Sequence, residues 1–212
     1  MYTTHVPRIA SAFEVEPLQV FPYLVKFVLA TIQQQFHIVH TILDEWDELG
    51  TDSPMMWGFK RDGVNWLKST KWTAVAMTLH QCQANGDRVT AIDALVQIPG
   101  INVVKAAFIA QLVGLNTACL DTQNLKLHGI KNVKAFHITK SNLARTRLAK
   151  IKAYLTLCDE LGGAPQFWDT WCEIIANTYP DHFTMGAFDV SSRHVELIVG
   201  RMDIEDPDHV PF

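Results

Sequence analysis

The sequence predicts an all-α protein, and three observations carry that expectation. Apolar residues recur at three- and four-residue steps over long stretches, Gly, Asn and Pro turns punctuate those stretches, and no alternating apolar–polar pattern runs longer than four residues. From Pro17 to Leu49 the spacing of Val20, Leu24, Phe27, Val28 and Ile32, continued by Phe36, Val39, Ile42 and Leu43, predicts one long amphipathic helix. Pro22 belongs in its first turn or marks off a short leading piece. Gly50 to Pro54 reads as a loop. A second helix is expected over about 64–83 through Trp66, Leu67, Trp72, Val75, Ala76 and Leu79, ending at Ala84-Asn85-Gly86-Asp87. Thr90 then caps a short helix carrying Ile92, Leu95 and Val96. Ile98-Pro99-Gly100 stops that helix, and another begins near Val103 and ends at Gly114-Leu115-Asn116. Further helices are expected at about 122–129, 141–161, 165–178 and 191–201, the last capped by Ser191 or Ser192.

Composition excludes several classes. Of 212 residues, 48% are hydrophobic and 19% charged, which is ordinary for a globular chain and rules out disordered and fibrous ones. The most apolar run, Leu18 to Ile32, is interrupted by Pro22 and Lys26 and falls short of the ~20 residues of a spanning helix. The amino-terminal MYTTHVPRIASAFEVE lacks the pattern of a secretory leader. Cys82, Cys119, Cys158 and Cys172 are too scattered for a disulfide framework, a zinc site or an iron–sulfur cluster. No cofactor and no metal are expected. The expectation is a monomer without a membrane partner, in the cytoplasm of a bacterial or phage-infected cell or associated with the nucleoid.

The net charge of −4 conceals a segregated pattern. Between Thr122 and Cys158 there is no Asp or Glu, yet Lys126, Lys131, Lys134, Lys140, Arg145, Arg147, Lys150 and Lys152 fall there. That block carries +8, and the rest of the chain, with ten basic residues against twenty-two acidic ones, carries −12. Such asymmetry is the footprint of a face that meets nucleic acid; a solvated basic helix surface is the plainer alternative.

Asp93 to Ala107 reads as helix, tight hairpin, helix. A turn at the start of the second helix offers backbone N–H donors and the positive end of a helix dipole to an anion such as a DNA phosphate. Gly100 and Asn102 are residues that tolerate the backbone such an approach needs, and Ile98 and Ile101 would pin the turn to the core. The candidate DNA contacts are therefore Pro99, Gly100, Ile101, Asn102, Val103 and Lys105, with Lys126, Lys131 and Lys134 beyond them. Contacts of this kind hold phosphate and read no base.

These residues resemble the helix-hairpin-helix superfamily of DNA glycosylases, of the endonuclease III, adenine glycosylase and alkyl-adenine glycosylase type. The family pattern Leu-Pro-Gly-Val-Gly-x-Lys/Ser-Thr-Ala, followed after about fifteen residues by Val-Asp-Thr-His, is similar to Ile98 through Ala106 and then Leu120-Asp121-Thr122-Gln123. The approach through a helix, the Asn85-Gly86 turn and a short helix is similar as well. The resemblance covers residues 64–135 and implies one glycosylase-like unit over 1–212 in two helical lobes. The central lobe, 64–135, holds the hairpin motif at about 93–107, and 1–63 with 136–212 form the second lobe. It implies binding to duplex DNA, mainly through backbone phosphates, and action on the N-glycosidic bond of a flipped base.

Residue by residue, Asp121 matches the catalytic Asp of the family. A carboxylate there stabilises the positive charge that develops on the sugar, or orients water against it; an N-cap is the structural alternative. The family's nucleophilic Lys falls on Val104, and Lys105 lies one residue further, turned by about 100°. Lys105 is thus a candidate nucleophile only with a one-residue shift, and otherwise a phosphate-contacting or solvated lysine. Members without that Lys are monofunctional and use the Asp alone. Two other readings stay open: a phage-type transferase of the same fold acting on modified thymine in DNA, and a non-catalytic DNA-binding module.

His37, His40 and Asp44 share a helix face and are expected to be ordinary polar residues rather than metal ligands. Trp57, Trp66 and Trp72 are expected in the core, with stacking on a flipped base as the alternative. The acidic stretch Asp203 to Asp208 reads as a solvated terminus.

Overall fold

The computed structural model describes residues 2–34, 38–121, 124–125, 129–130, 136, 138, 142–167 and 169. Eight helices of eight residues or more are placed among them: α1 Tyr2–Val15, α2 Pro17–Thr31, α3 Val39–Leu49, α4 Gly58–Trp66, α5 Lys71–Asn85, α6 Arg88–Leu95, α7 Val103–Leu112 and α8 Ala144–Glu160. The chain is all-helical, with no strand among the described residues.

Two helices form the centre. α2 packs against α1, α3, α4, α5 and α7. It can do so because Val20, Phe21, Leu24, Val25 and the run Phe27–Ala30 are all buried, which is more than one stripe of its surface. Pro17 stands in its first turn, while Pro22 sits inside it. α7 is buried from Ala106 to Leu112; its alanines let neighbours approach closely, and Phe108 meets Phe27 of α2 with ring centroids 6.2 Å apart. Buried apolar side chains from Val6 to Phe167 form one contiguous core, and α2 reaches into both the amino-terminal and the central segments, across the lobe boundary expected at residue 63.

Several elements differ from expectation. The stretch Pro17–Leu49 is two helices, broken where Ile32 turns extended and Gln33 takes a φ of 55°. The apolar spacing ran on through the break because α2 and α3 bury their stripes in the same core. The helix expected over 64–83 is likewise split into α4 and α5, at a turn where the Ser69 hydroxyl donates to the Trp66 carbonyl. α1 is not predicted by the sequence pattern; Val6, Ile9 and Phe13 form its buried face. The cap of α6 is Asp87, not Thr90: the Asp87 carboxylate accepts from the Thr90 amide at 3.0 Å. Gly86, at φ 74°, closes α5 just before it. The expected helix at 122–129 is described at Asn124 and Leu125, both helical, and at Gly129, which is a turn with a φ of 67°. Of 165–178 only 165–167 and 169 are described, as helix, and 191–201 lies outside the described residues.

Two arginine–aspartate pairs join α6 to α8. Arg88 donates to both carboxylate oxygens of Asp159, at 2.6 and 3.0 Å, and to the Asn116 carbonyl. Arg147 donates to both oxygens of Asp93, from Nε and, at 3.2 Å, from Nη2. Bidentate pairs fix orientation better than single contacts do.

The cap gives a stability prediction. The Thr90 hydroxyl and amide hold the Asp87 carboxyl below its usual range. Its contribution is therefore present above the ordinary carboxylate pKa of about 3.9 and fades as pH falls through the lowered value. Asp87→Ala should cost about 1 kcal/mol in urea denaturation at pH 7, and the gap to wild type should close in acid.

Candidate nucleic-acid interface

The hairpin joining α6 to α7 spans residues 96–102. Ile98 and Ile101 are buried, as expected of residues that pin it. The Ile101 amide donates to the Ile98 carbonyl at 3.1 Å and closes the turn. Gly100 has a φ of 83°, and a Cβ there would lie 2.8 Å from the Phe59 carbonyl oxygen. Glycine is thus required by the left-handed backbone and by the closeness of α4, a tertiary reason that the expectation of phosphate access did not contain. Asn102 is not left-handed: it is extended, with φ −93° and ψ 178°, and caps α7 by accepting the Lys105 amide at 3.0 Å. The amides of Gly100, Asn102, Val103 and Val104 donate to nothing among the described residues. Four donors thus gather at the positive end of α7. Pro99 and Gly100 are partly exposed, Asn102 is exposed and Val103 is buried.

A groove of about 730 Å³ runs along the hairpin, lined by residues 96–102 together with Gln33, Phe59, Lys105 and Arg147. Lys105 reaches away from its own helix start. Its ammonium donates to the Thr31 hydroxyl at 3.3 Å and lies 5.5 Å from the centre of the Phe108 ring. Thr31 in turn donates to the Val28 carbonyl. A cation is unfavourable in the first turn of a helix and favourable at the last turn of one, so Lys105 serves the carboxyl end of α2.

A second lysine, missed in the sequence, serves the same end. Lys60 of α4 is fully buried, with its ammonium 3.5 Å from the Ala30 carbonyl and 5.6 Å from the centre of the Trp57 ring. Burial, and then the charge of Lys105, lowers its pKa to about 8. The one trace in the sequence is its place three and four residues before Gly63 and Val64, the other buried positions of α4. Trp57 is 40% exposed and packs edge-on against Phe59 at 5.2 Å. Trp66 and Trp72 are partly buried against the core, Trp72 stacking on Phe21.

Asp121 ends a buried segment whose backbone is held from α8. The Tyr154 hydroxyl donates to the Ala118 carbonyl at 2.6 Å and accepts from the Leu120 amide at 2.9 Å, and the Asn124 side chain donates to the Cys119 carbonyl. The Asp121 carboxylate accepts from the Asn124 amide at 3.0 Å, which is a helix cap. Asp121 is half-buried and lies outside the lining of the groove. It and Lys105 nevertheless share a neighbourhood. Both act on the buried Cys119 thiol, which burial pushes up to about 12 while Lys105 pulls it down and Asp121 raises it further.

Lys126, Lys131, Lys134 and Lys140 lie outside the described residues, as do Cys172 and His37. On α8, Arg145 and Lys152 are exposed, Arg147 is held by Asp93, and Lys150 donates to Asn142. His40 contacts Thr41, and no group of three metal-ligating side chains occurs among the described residues. No described helix is long and apolar enough to cross a membrane. No known protein family, curated protein or solved structure matches the chain.

Two variants check this geometry. Gly100→Ala should destabilise the fold by about 1–3 kcal/mol, because the left-handed backbone and the Phe59 carbonyl both oppose a side chain. Lys60 has the opposite expectation. The unfolded chain holds this proton up to about 10.4 and the folded chain only to about 8, so between those values the unfolded state binds more protons and stability rises with pH. Lys60→Met should therefore stabilise the protein at pH 7 by about 1–3 kcal/mol and reduce that alkaline rise. A loss of stability at pH 7 would contradict the assignment.

Proposed function

We propose that this chain binds duplex DNA through the hairpin 96–102 and acts on the N-glycosidic bond of a flipped nucleotide, as a divergent relative of the helix-hairpin-helix glycosylases. The observation that carries the reading is the group of amides at Gly100, Asn102, Val103 and Val104, which lack partners among the described residues at the positive end of α7. Four such donors on a backbone held by buried Ile98 and Ile101 suit a phosphate without side-chain reordering. Lys105 and the exposed Arg145 and Lys152 add positive charge, and Lys126, Lys131 and Lys134 continue the basic segment in sequence.

In this reading Asp121 supplies the chemistry. As the bond between sugar and base breaks, its electrons leave with the base, positive charge grows at the anomeric carbon, and a carboxylate nearby lowers the energy of that state. Water then adds to the carbon, and the proton it loses ends on the departing base. No covalent intermediate on a lysine is needed, and Lys105, held at Thr31, acts on the DNA backbone.

One observation favours a second reading. The Asp121 carboxylate already caps a helix through the Asn124 amide, which is all that a non-catalytic DNA-binding module would require of it. Asp121→Asn separates the two, since Asn caps a helix about as well as Asp. The wild-type chain should release a base from at least one duplex among those carrying uracil, a thymine mismatch, or alkylated or oxidised bases. Asp121→Asn should lower that release by about 100-fold with unchanged stability and DNA affinity. Binding should weaken linearly in log K against log salt. Bound DNA with no release from any duplex leaves the module; absence of DNA binding overturns both.

A further inference from the structure

The groove beside the hairpin has features that phosphate contact by the amides does not use. Its volume, about 730 Å³, falls among small-ligand sites of roughly 300–1,000 Å³. Its charged lining has one sign: Lys105 and Arg147 belong to it, and no Asp or Glu does. Asp93 takes Nε and Nη2 of Arg147, and Nη1 donates to nothing among the described residues. The buried ammonium of Lys60 lies at the Ala30 carbonyl, next in sequence to the Thr31 that holds Lys105, and no carboxylate belongs to the lining. Arg147 is already paired with Asp93, so the uncompensated charge of the lining is that of Lys105, and such a site favours an anion over a neutral ligand.

The remaining lining suits a planar heterocycle. Phe59 offers an aromatic surface, braced edge-on by Trp57. Gln33 and Gln97 bring side-chain amides, that of Gln97 donating also to the Asp93 carbonyl at 3.2 Å. Gln33 is also the described non-glycine residue with a positive φ, a conformation retained where the surroundings demand it.

We propose that this groove takes a nucleoside monophosphate unit, with its phosphate held by Lys105 and Arg147 and its base against Phe59. A free mononucleotide and a nucleotide extruded from DNA present the same chemistry; in the second case the proposal rests on the DNA-binding part of the reading above and not on its chemistry, since Asp121 lies outside the lining of the groove.

The test is calorimetric titration of the full chain at low salt with thymidine monophosphate, thymidine, inorganic phosphate and an unmodified duplex. The monophosphate should bind saturably, and thymidine and inorganic phosphate at least about tenfold more weakly, since each keeps only half of the contacts. Gln97→Glu puts a like charge beside the phosphate at an exposed position, so the fold is not at risk. It should weaken the monophosphate by about tenfold, and Lys105→Met should do the same. Lys71→Met, an exposed lysine on α5 outside the lining, should change nothing. An anion that binds as inorganic phosphate as well as it does in the monophosphate overturns the proposal, as does monophosphate binding indifferent to Gln97→Glu. Duplex binding without monophosphate binding overturns the groove and leaves the DNA reading. Monophosphate binding without duplex binding makes a free nucleotide the ligand and overturns the DNA reading instead.

Discussion

Leu29, near the end of α2, is the side chain over which α4 and the hairpin are laid, and the contact depends on two glycines. A Cβ on Gly63 would come within 2.7 Å of both Leu29 Cδ1 and the Pro99 carbonyl, and one on Gly100 within 2.8 Å of the Phe59 carbonyl and 3.2 Å of Leu29 Cδ2. Interiors packed at crystal-like density leave no slack for such an intrusion. The approach of α4 to the hairpin sets where Phe59 stands, and Phe59 walls the groove. It also sets where the first turn of α7 begins, and with it the amide donors. The features that suggest a binding face are thus consequences of one close contact in the core.

Electrostatics then divides the basic residues by task. The carboxyl end of α2 has no basic residue of its own in its last turn. Lys60 and Lys105 reach it from α4 and α7, touching Ala30 and Thr31. Arg88 and Arg147 are used to attach α8 to α6. The dense positive charge of the later segment is therefore not a uniform surface. Part of it holds helices together, and part, as at Arg145 and Lys152, is exposed.

The legible parts of the fold were those fixed locally. The hairpin could be read from Ile98-Pro99-Gly100-Ile101, and the end of α5 from Asn85-Gly86, because turn chemistry resides in the residues themselves. The capping alternative for Asp121 was visible for the same reason. The division between α2 and α3 was not, since an apolar period continues across a break when both pieces face one core. Asp87 and Thr90 are each good caps, and only the backbone decides between them. Lys60 was hidden by its type: a lysine is seldom fully buried, and the carbonyl it serves is thirty residues away. Phe59 entered the site through a tertiary neighbour, Gly100, whose own conformation was foreseeable while its partner was not.

The central claim is that the start of α7 is the surface that meets DNA phosphate. Amide chemical-shift mapping of the full chain with a short unmodified duplex at low salt tests it most directly. The largest changes should fall on the backbone N–H groups of Gly100, Asn102, Val103 and Val104, and they should shrink as salt is raised. Changes confined to other surfaces, with these four amides unmoved while DNA is bound, would contradict it.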